Sequence, residues 1–402
     1  MTLEIIKLKN DKLIKMVLIV IFILNAQIFM LPLFSSVFKN INTYHNKLLI
    51  TILSLLLFIY WLFVRYKAVE FDKSDLIILD LIILDLLLLM CILLFTQLIS
   101  SGEKIQLLIS NFYYNLILLL YFPLKSFFYN KKNLAWFIKM YVCIGIIYAV
   151  STCVCFYFFQ DYITQNNITL VQSVNSKIRF PQTSDLIGST ILFILIGMGT
   201  RLYSTKKAII FLVICMYCLV EISNVRMITL ISVILMLSYF YKIILLNEVA
   251  YKKILFHLIV IVITCITLLK TNFFEKFIGI GQQQVSVFYR FEVIDYYKNH
   301  FFDNIIFGFG FSDRVKNIYN YTDIGLMGFL FRYGMAISVW IIGLMYYFMK
   351  NLNSNIVNKL IFIYFIGMSI SLSLFDSQRI IYFPIIFSIF SSSIKRGEMY
   401  EL

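Results

Sequence analysis

Residues 76–98 read LIILDLIILDLLLLMCILLFTQL, and Asp80 and Asp85 are the only ionisable residues among them apart from Cys91. At 1.5 Å per residue a helix of that length is roughly 34 Å long, enough to cross a hydrocarbon core of about 30 Å. The run shows no polar–apolar alternation, which excludes a strand of an outer-membrane barrel. Comparable runs recur near 15–37, 47–64, 106–124, 134–159, 186–200, 207–223, 226–246, 253–270, 324–349, 358–375 and 379–394. The expectation is an all-α, polytopic transmembrane helical bundle of about twelve spans, forming a single integral membrane domain over 1–402.

Composition agrees with that reading. The 402 residues are 61% hydrophobic and 14% charged, with mean hydropathy +0.88. A soluble domain carries roughly a quarter charged residues, so a soluble enzyme is excluded. The first run is too long for a signal peptide and lacks a small-residue cleavage site, and it is expected to be retained as a span. A net charge of +14 would suggest nucleic acid in a soluble chain, but here the lysines sit in short connections, where they set topology instead.

One set of connections carries Lys7, Lys9, Lys12 and Lys15, then Arg65, Lys67 and Lys73, then Lys125, Lys131 and Lys132. It continues with Arg201, Lys206, Lys207, Lys242, Lys252, Lys253, Lys350, Lys359, Lys395 and Arg396. The alternate short connections hold only Lys39, Lys47, Lys104, Arg226 and Arg379. Both termini are therefore expected in the cytoplasm. Two longer connections fall on the opposite, outer face: 160–185, and 271–323 ahead of the last three spans. In the second, Phe288, Phe291, Ile294 and Tyr297 recur at helical spacing among Arg290, Glu292 and Asp295, which predicts an amphipathic helix lying in the interface.

Of nine arginines, Arg179, Arg226, Arg290, Arg314, Arg332 and Arg379 lie at or near the outer face, where topology disfavours cations. The guanidinium fork stays charged and binds phosphate oxygens two at a time, so this enrichment points to a phosphate or pyrophosphate on a lipid carrier. Arg332, about 12 Å into its expected span, should face a polar cavity or a partner. The alternative for each arginine is snorkelling, or pairing with Glu221, Asp323 or Asp376. His45, His257 and His300 are too scattered for a metal site, and no nucleotide-binding fingerprint occurs, so neither metal nor cofactor is expected. Cys215 and Cys218 form a CxxC inside an apolar run, which reads as packing and not as metal or redox chemistry. Asp80 and Asp85 admit two readings: an ion pair, with Lys139 at similar depth as partner, or a proton path of the kind transporters use.

The segment YRFEVIDYYKNHFFDNIIFGFGFSDR, Tyr289–Arg314, followed by YTDIGLMGFLFRYG, Tyr321–Gly334, resembles the O-antigen polymerase and O-antigen ligase superfamily of bacterial surface-glycan enzymes. Arg290 matches an Arg opening an amphipathic helix, and Gly308 and Gly310 match the Gly-x-Gly turn before the last long span. ISNVRMITLISVIL, around Arg226, is similar to the family's Ser/Arg segment. KIRFPQTSDLIGSTIL, containing Arg179, is similar to the segment entering the preceding helix pair. The resemblance covers about 175–345. Ligases of this superfamily carry a His shortly before the final long span. Here NIYNYTDIG has none, and His300 lies upstream, which favours a polymerase.

The resemblance implies a GT-C-like fold and a metal- and nucleotide-independent membrane glycosyltransferase in the bacterial cytoplasmic membrane. Donor and acceptor would be undecaprenyl-pyrophosphate-linked glycans, polymerised into capsule, exopolysaccharide or O-antigen, with a chain-length regulator as a candidate partner and no nucleic acid. Arg226 and Arg290 would grip the pyrophosphate, with Arg179 assisting and Arg314, Arg332 and Arg379 as further binding residues. Asp323, Asp313 or Glu292 would serve as general base. A flippase of the same lipid-linked oligosaccharide would also need cations, and stands as the alternative.

Overall fold

The computed structural model describes residues 2–28, 31, 43–67, 78–100, 102–159, 172–174, 177–179, 183–223, 225–246, 284–311, 324–352, 355–371, 376–377 and 379–394. In chain order the helices are α1 (Thr2–Ala26), α2 (Thr43–Lys67), α3 (Ile78–Ser100), α4 (Ile105–Phe112), α5 (Tyr121–Phe128) and α6 (Lys131–Phe158). After a two-stranded antiparallel hairpin, β1 (Gln172–Val174) and β2 (Lys177–Arg179), come α7 (Thr183–Gly199), α8 (Thr205–Tyr217) and α9 (Arg226–Leu246). The last are α10 (Gln284–His300), α11 (Gly325–Tyr333), α12 (Ala336–Lys350), α13 (Ile356–Ser371) and α14 (Tyr382–Ile394). Helix thus occupies described parts of every expected span except 253–270, which lies outside the described residues.

Among the described residues, four stretches, within α2, in α3, from α4 through α5, and in α6, are long and apolar enough to cross a membrane. The chain is a helical membrane protein on that ground. Along α3, Leu81, Leu84, Leu88, Ile92, Phe95 and Ile99 form an exposed apolar row at helical spacing, as expected of a lipid-facing side. The stretch from α4 to α5 runs without a gap through a 3-10 segment, Tyr113–Leu120. Pro123 lies two residues past the junction of the 3-10 segment with α5. Asn130 caps α6, its side chain accepting from the Lys132 N–H at 3.0 Å.

The core forms around α7, which is buried on all sides and packed by α6, α8, α9 and α13. Glycines allow the close approach: a Cβ at Gly145 of α6 would strike Thr190, one at Gly188 of α7 would strike Ile228, and one at Gly367 of α13 would strike Ile231. The last two contacts also orient the helices. The starts of α7 and α9 lie together with the finish of α13, while Gly199, closing α7, touches Ile356, opening α13. The Asn25–Tyr382 and Lys47–Ser377 hydrogen bonds bring the end of α1 and the start of α2 to that same end of the bundle.

One expected span does not run straight. The segment 324–349 is two short helices, α11 and α12, broken at Gly334 with φ +69°. Beside the break the backbone pairs with residues 305–310: Phe309 N–H donates to the Phe331 carbonyl (3.0 Å), Gly310 to Arg332 (2.6 Å) and Met335 to Ile305 (2.8 Å). A side chain at Gly334 would overlie the Ile306 carbonyl, so glycine is required on both conformational and steric grounds. Apolar composition alone predicts one helix here; these cross-chain bonds stop it.

Candidate functional site

At the end of the bundle where α7, α9 and α14 begin, charged side chains from distant segments converge. Asp185, in the first turn of α7, lies 3.1 Å from Nε of Arg379, and Asp376 lies 3.4 Å from the same guanidinium. Lys47 of α2 donates to Ser377 Oγ at 2.7 Å, and Asn25 of α1 donates to the Tyr382 hydroxyl at 3.2 Å. Asn25, Gln27, Lys47, Ile117, Tyr148, Asp185, Ser377 and Tyr382 line a chamber of about 40 Å³ among them. Asp185, Tyr148 and Tyr382 are buried, whereas Lys47, Asp376, Ser377 and Arg379 are half-buried. Below it the Tyr141 and Ser189 hydroxyls lie 2.6 Å apart, continuing the polar path into α7.

Two further arginine-bearing segments reach this end. Arg226 opens α9, two residues before the Ile228 that contacts Gly188. The β2 strand carrying Arg179 packs against the π-helical turn Cys218–Ser223 that leads toward α9. A π-helical turn of this kind is uncommon and recurs near functional sites.

Arg290 and Glu292 stand exposed on α10. That helix is anchored by Val293 and Tyr297, buried against Ile324 and Phe331, with the Tyr297 and Phe331 rings stacked at 5.2 Å. The expected apolar row is divided: Ile294 and Tyr297 pack inward, while Phe288 and Phe291 are exposed on another face. Since Ile324 precedes Gly325, which meets the Ile370 carbonyl at the finish of α13, α10 sits toward the same end.

Arg332 is placed differently from the pyrophosphate-binding role expected of it. Its guanidinium is buried, donating to the Tyr114 hydroxyl at 2.8 Å and the Asn111 carbonyl at 3.1 Å, and it lies 4.9 Å from the Phe311 ring centre. Of the carboxylates suggested for it from sequence, Asp323 lies outside the described residues, and these partners include neither Glu221 nor Asp376. Nearby, Gln97 bonds both the Phe309 carbonyl (2.7 Å) and the Phe311 N–H (2.6 Å), and Asn111 bonds the Phe311 carbonyl (3.0 Å). The Gly308–Phe309–Gly310 turn is thereby clamped to α3 and α4, and Arg332 belongs to the clamp.

Asp80 forms an ion pair, but with Lys125 at 2.5 Å and not with Lys139, which is exposed. Tyr121 also donates to Asp80, at 2.6 Å. Asp85 is exposed on α3 and is not part of this group. Cys215 and Cys218 are buried free thiols, and the Cys218 thiol lies within hydrogen-bonding reach of Cys153 and Ser223. Asp313, Arg314 and Asp323 lie outside the described residues, as does His257.

Sequence reasoning passed over Asp185, Lys47, Asn25, Gln27 and Tyr382 as site residues. Two signals were present: an acidic residue opening a helix right after the Arg179 segment, and a lysine in a lysine-poor connection. No family of known proteins, no curated protein and no solved structure matches the chain.

Proposed function

We propose that the chain is a membrane glycosyltransferase that polymerises undecaprenyl-pyrophosphate-linked oligosaccharide repeat units into surface polysaccharide at the outer leaflet of a bacterial cytoplasmic membrane. The observation that carries this reading is the gathering of the Arg179, Arg226 and Arg290 segments at one end of an apolar bundle, away from the Asp80–Lys125 pair. The GT-C-like fold, the twelve spans and the outward orientation of that end are part of the proposal.

In the reaction an acceptor sugar hydroxyl attacks C1 of the donor glycan. The C1–O bond to the carrier breaks, its electron pair leaves with the pyrophosphate, and the hydroxyl proton passes to a carboxylate. Negative charge therefore grows on the pyrophosphate, where preorganised guanidinium groups lower the barrier most. Arg290, exposed on α10, and Arg226, at the start of α9, are assigned that role, with Arg179 beside them. Arg379 and Arg332 are engaged internally and act through structure. Asp323 remains the assigned base.

The test is purified protein in lipid with a synthetic lipid-pyrophosphate repeat unit, without nucleotide or added metal, read as a ladder of longer glycans. Arg290→Ala should change stability by less than about 0.5 kcal/mol, because the side chain is exposed. It should lower the rate by roughly 10²- to 10³-fold. Arg226→Lys should lose the ladder as well. Protein-dependent transfer of unchanged substrate across the bilayer, with no ladder from the wild type, would replace the polymerase with a flippase.

A further inference from the structure

Gln27 closes α1 with φ +52°, in the left-handed region that a helix-terminating residue enters and that glycine usually fills. A glutamine there carries strain, of the kind that persists where the surroundings require the side chain. Its Oε1 is buried with no hydrogen-bond partner among the described residues, and the residue lines the chamber beside Asn25, Lys47, Asp185, Ser377 and Tyr382. A buried acceptor left open costs stability unless a donor arrives. Strain and an open acceptor thus coincide at one residue of one chamber.

The chemistry of the occupant follows from charge and size. Arg379 beside the chamber meets both Asp185 and Asp376, and Lys47 donates to Ser377, so these two cations and two carboxylates sum to zero and leave no surplus positive charge for a pyrophosphate. The space of about 40 Å³ admits roughly three water-sized groups and excludes a whole sugar ring. A group that donates to Gln27 Oε1 and accepts from the Lys47 ammonium fits both conditions, and neighbouring hydroxyls on one sugar do this. We infer that the chamber is the subsite that receives the hydroxyl-bearing edge of the acceptor glycan, with Gln27 and Lys47 as its positioning residues. The inference deepens the polymerase reading and rests on it.

The test separates acceptor from donor by supplying the acceptor as an alkyl glycoside of the repeat unit, which can be extended but cannot donate. Gln27→Gly removes the amide and relieves the strained backbone, so it should fold at least as well as the wild type. It should raise the acceptor KM about five- to tenfold, the effect of one lost hydrogen bond, and shift the donor KM much less. Lys47→Met should move the same parameter in the same direction. Equal acceptor KM in wild type and Gln27→Gly would overturn the subsite and leave the chamber to water. Should the wild type form no ladder, the polymerase reading fails by itself, and binding decides the chamber. Saturation-transfer NMR on the full chain in nanodiscs, with methyl glucoside, galactoside and N-acetylglucosaminide, then supports the chamber as a sugar-hydroxyl site, without the acceptor role, if a signal is lost in Gln27→Gly, and overturns it if the signal is unchanged. No signal from any of the three with the wild type would overturn it.

Discussion

Arg379 and Asp185, 194 positions apart in sequence, meet at 3.1 Å with the guanidinium and carboxylate both largely withdrawn from solvent. The pair joins the start of α7, a helix buried along nearly its whole length, to the segment that leads into α14. Removing one partner leaves a buried charge without its counterion. Arg379→Ala is therefore expected to cost about 3 kcal/mol, whereas Arg379→Ala with Asp185→Leu should recover a large part of that loss. Thermal unfolding of the four proteins in one detergent measures it; strict additivity would show that the pair is not coupled.

The break at Gly334 yields a contrast between two glycines of neighbouring segments. Gly334→Ala forces a Cβ onto the Ile306 carbonyl at φ +69° and should destabilise by more than about 2 kcal/mol, freeing the 305–311 turn from α11. Gly343 lies within α12 with no heavy atom close enough to meet a Cβ, so Gly343→Ala should stabilise by about 0.5–1 kcal/mol. Hydrogen exchange over 301–336 should speed up in the first variant alone.

Lys125 and Lys139 distinguish the two readings of the acidic third helix. Lys125→Met leaves Asp80 buried beside Tyr121 without its cation and should cost about 3 kcal/mol, and Lys139→Met should change stability by less than about 0.5 kcal/mol. The reversed order in an unfolding measurement would remove the ion pair as the reason for Asp80. A proton path predicts instead that Asp80→Asn abolishes pH-driven uptake in proteoliposomes while the fold survives.

Much of the helical plan was legible in the residues. Apolar runs set where helices lie because a bilayer-length stretch with satisfied backbone hydrogen bonds has few alternatives. The helix from Arg226 to Leu246 matches its expected span residue for residue. A helix over Gln284–His300 follows from the spacing of Phe288, Phe291, Ile294 and Tyr297. Spacing did not reveal that only Ile294 and Tyr297 face inward, because the apolar residues offer more than one face and the neighbouring α11 selects between them.

The sequence by itself determined that this is a helical membrane protein, since composition and run length act locally and need no partner. It also marked the arginines that oppose the expected charge bias. Only the tertiary structure decided which of them are engaged internally: Arg332 with Tyr114 and Asn111, and Arg379 with Asp185 and Asp376. Hydropathy assigns a residue a depth along its helix, as it did for Lys139. Ion pairs and hydrogen bonds depend on the angle around that helix and on which neighbour packs there, and both are set by contacts between segments hundreds of residues apart.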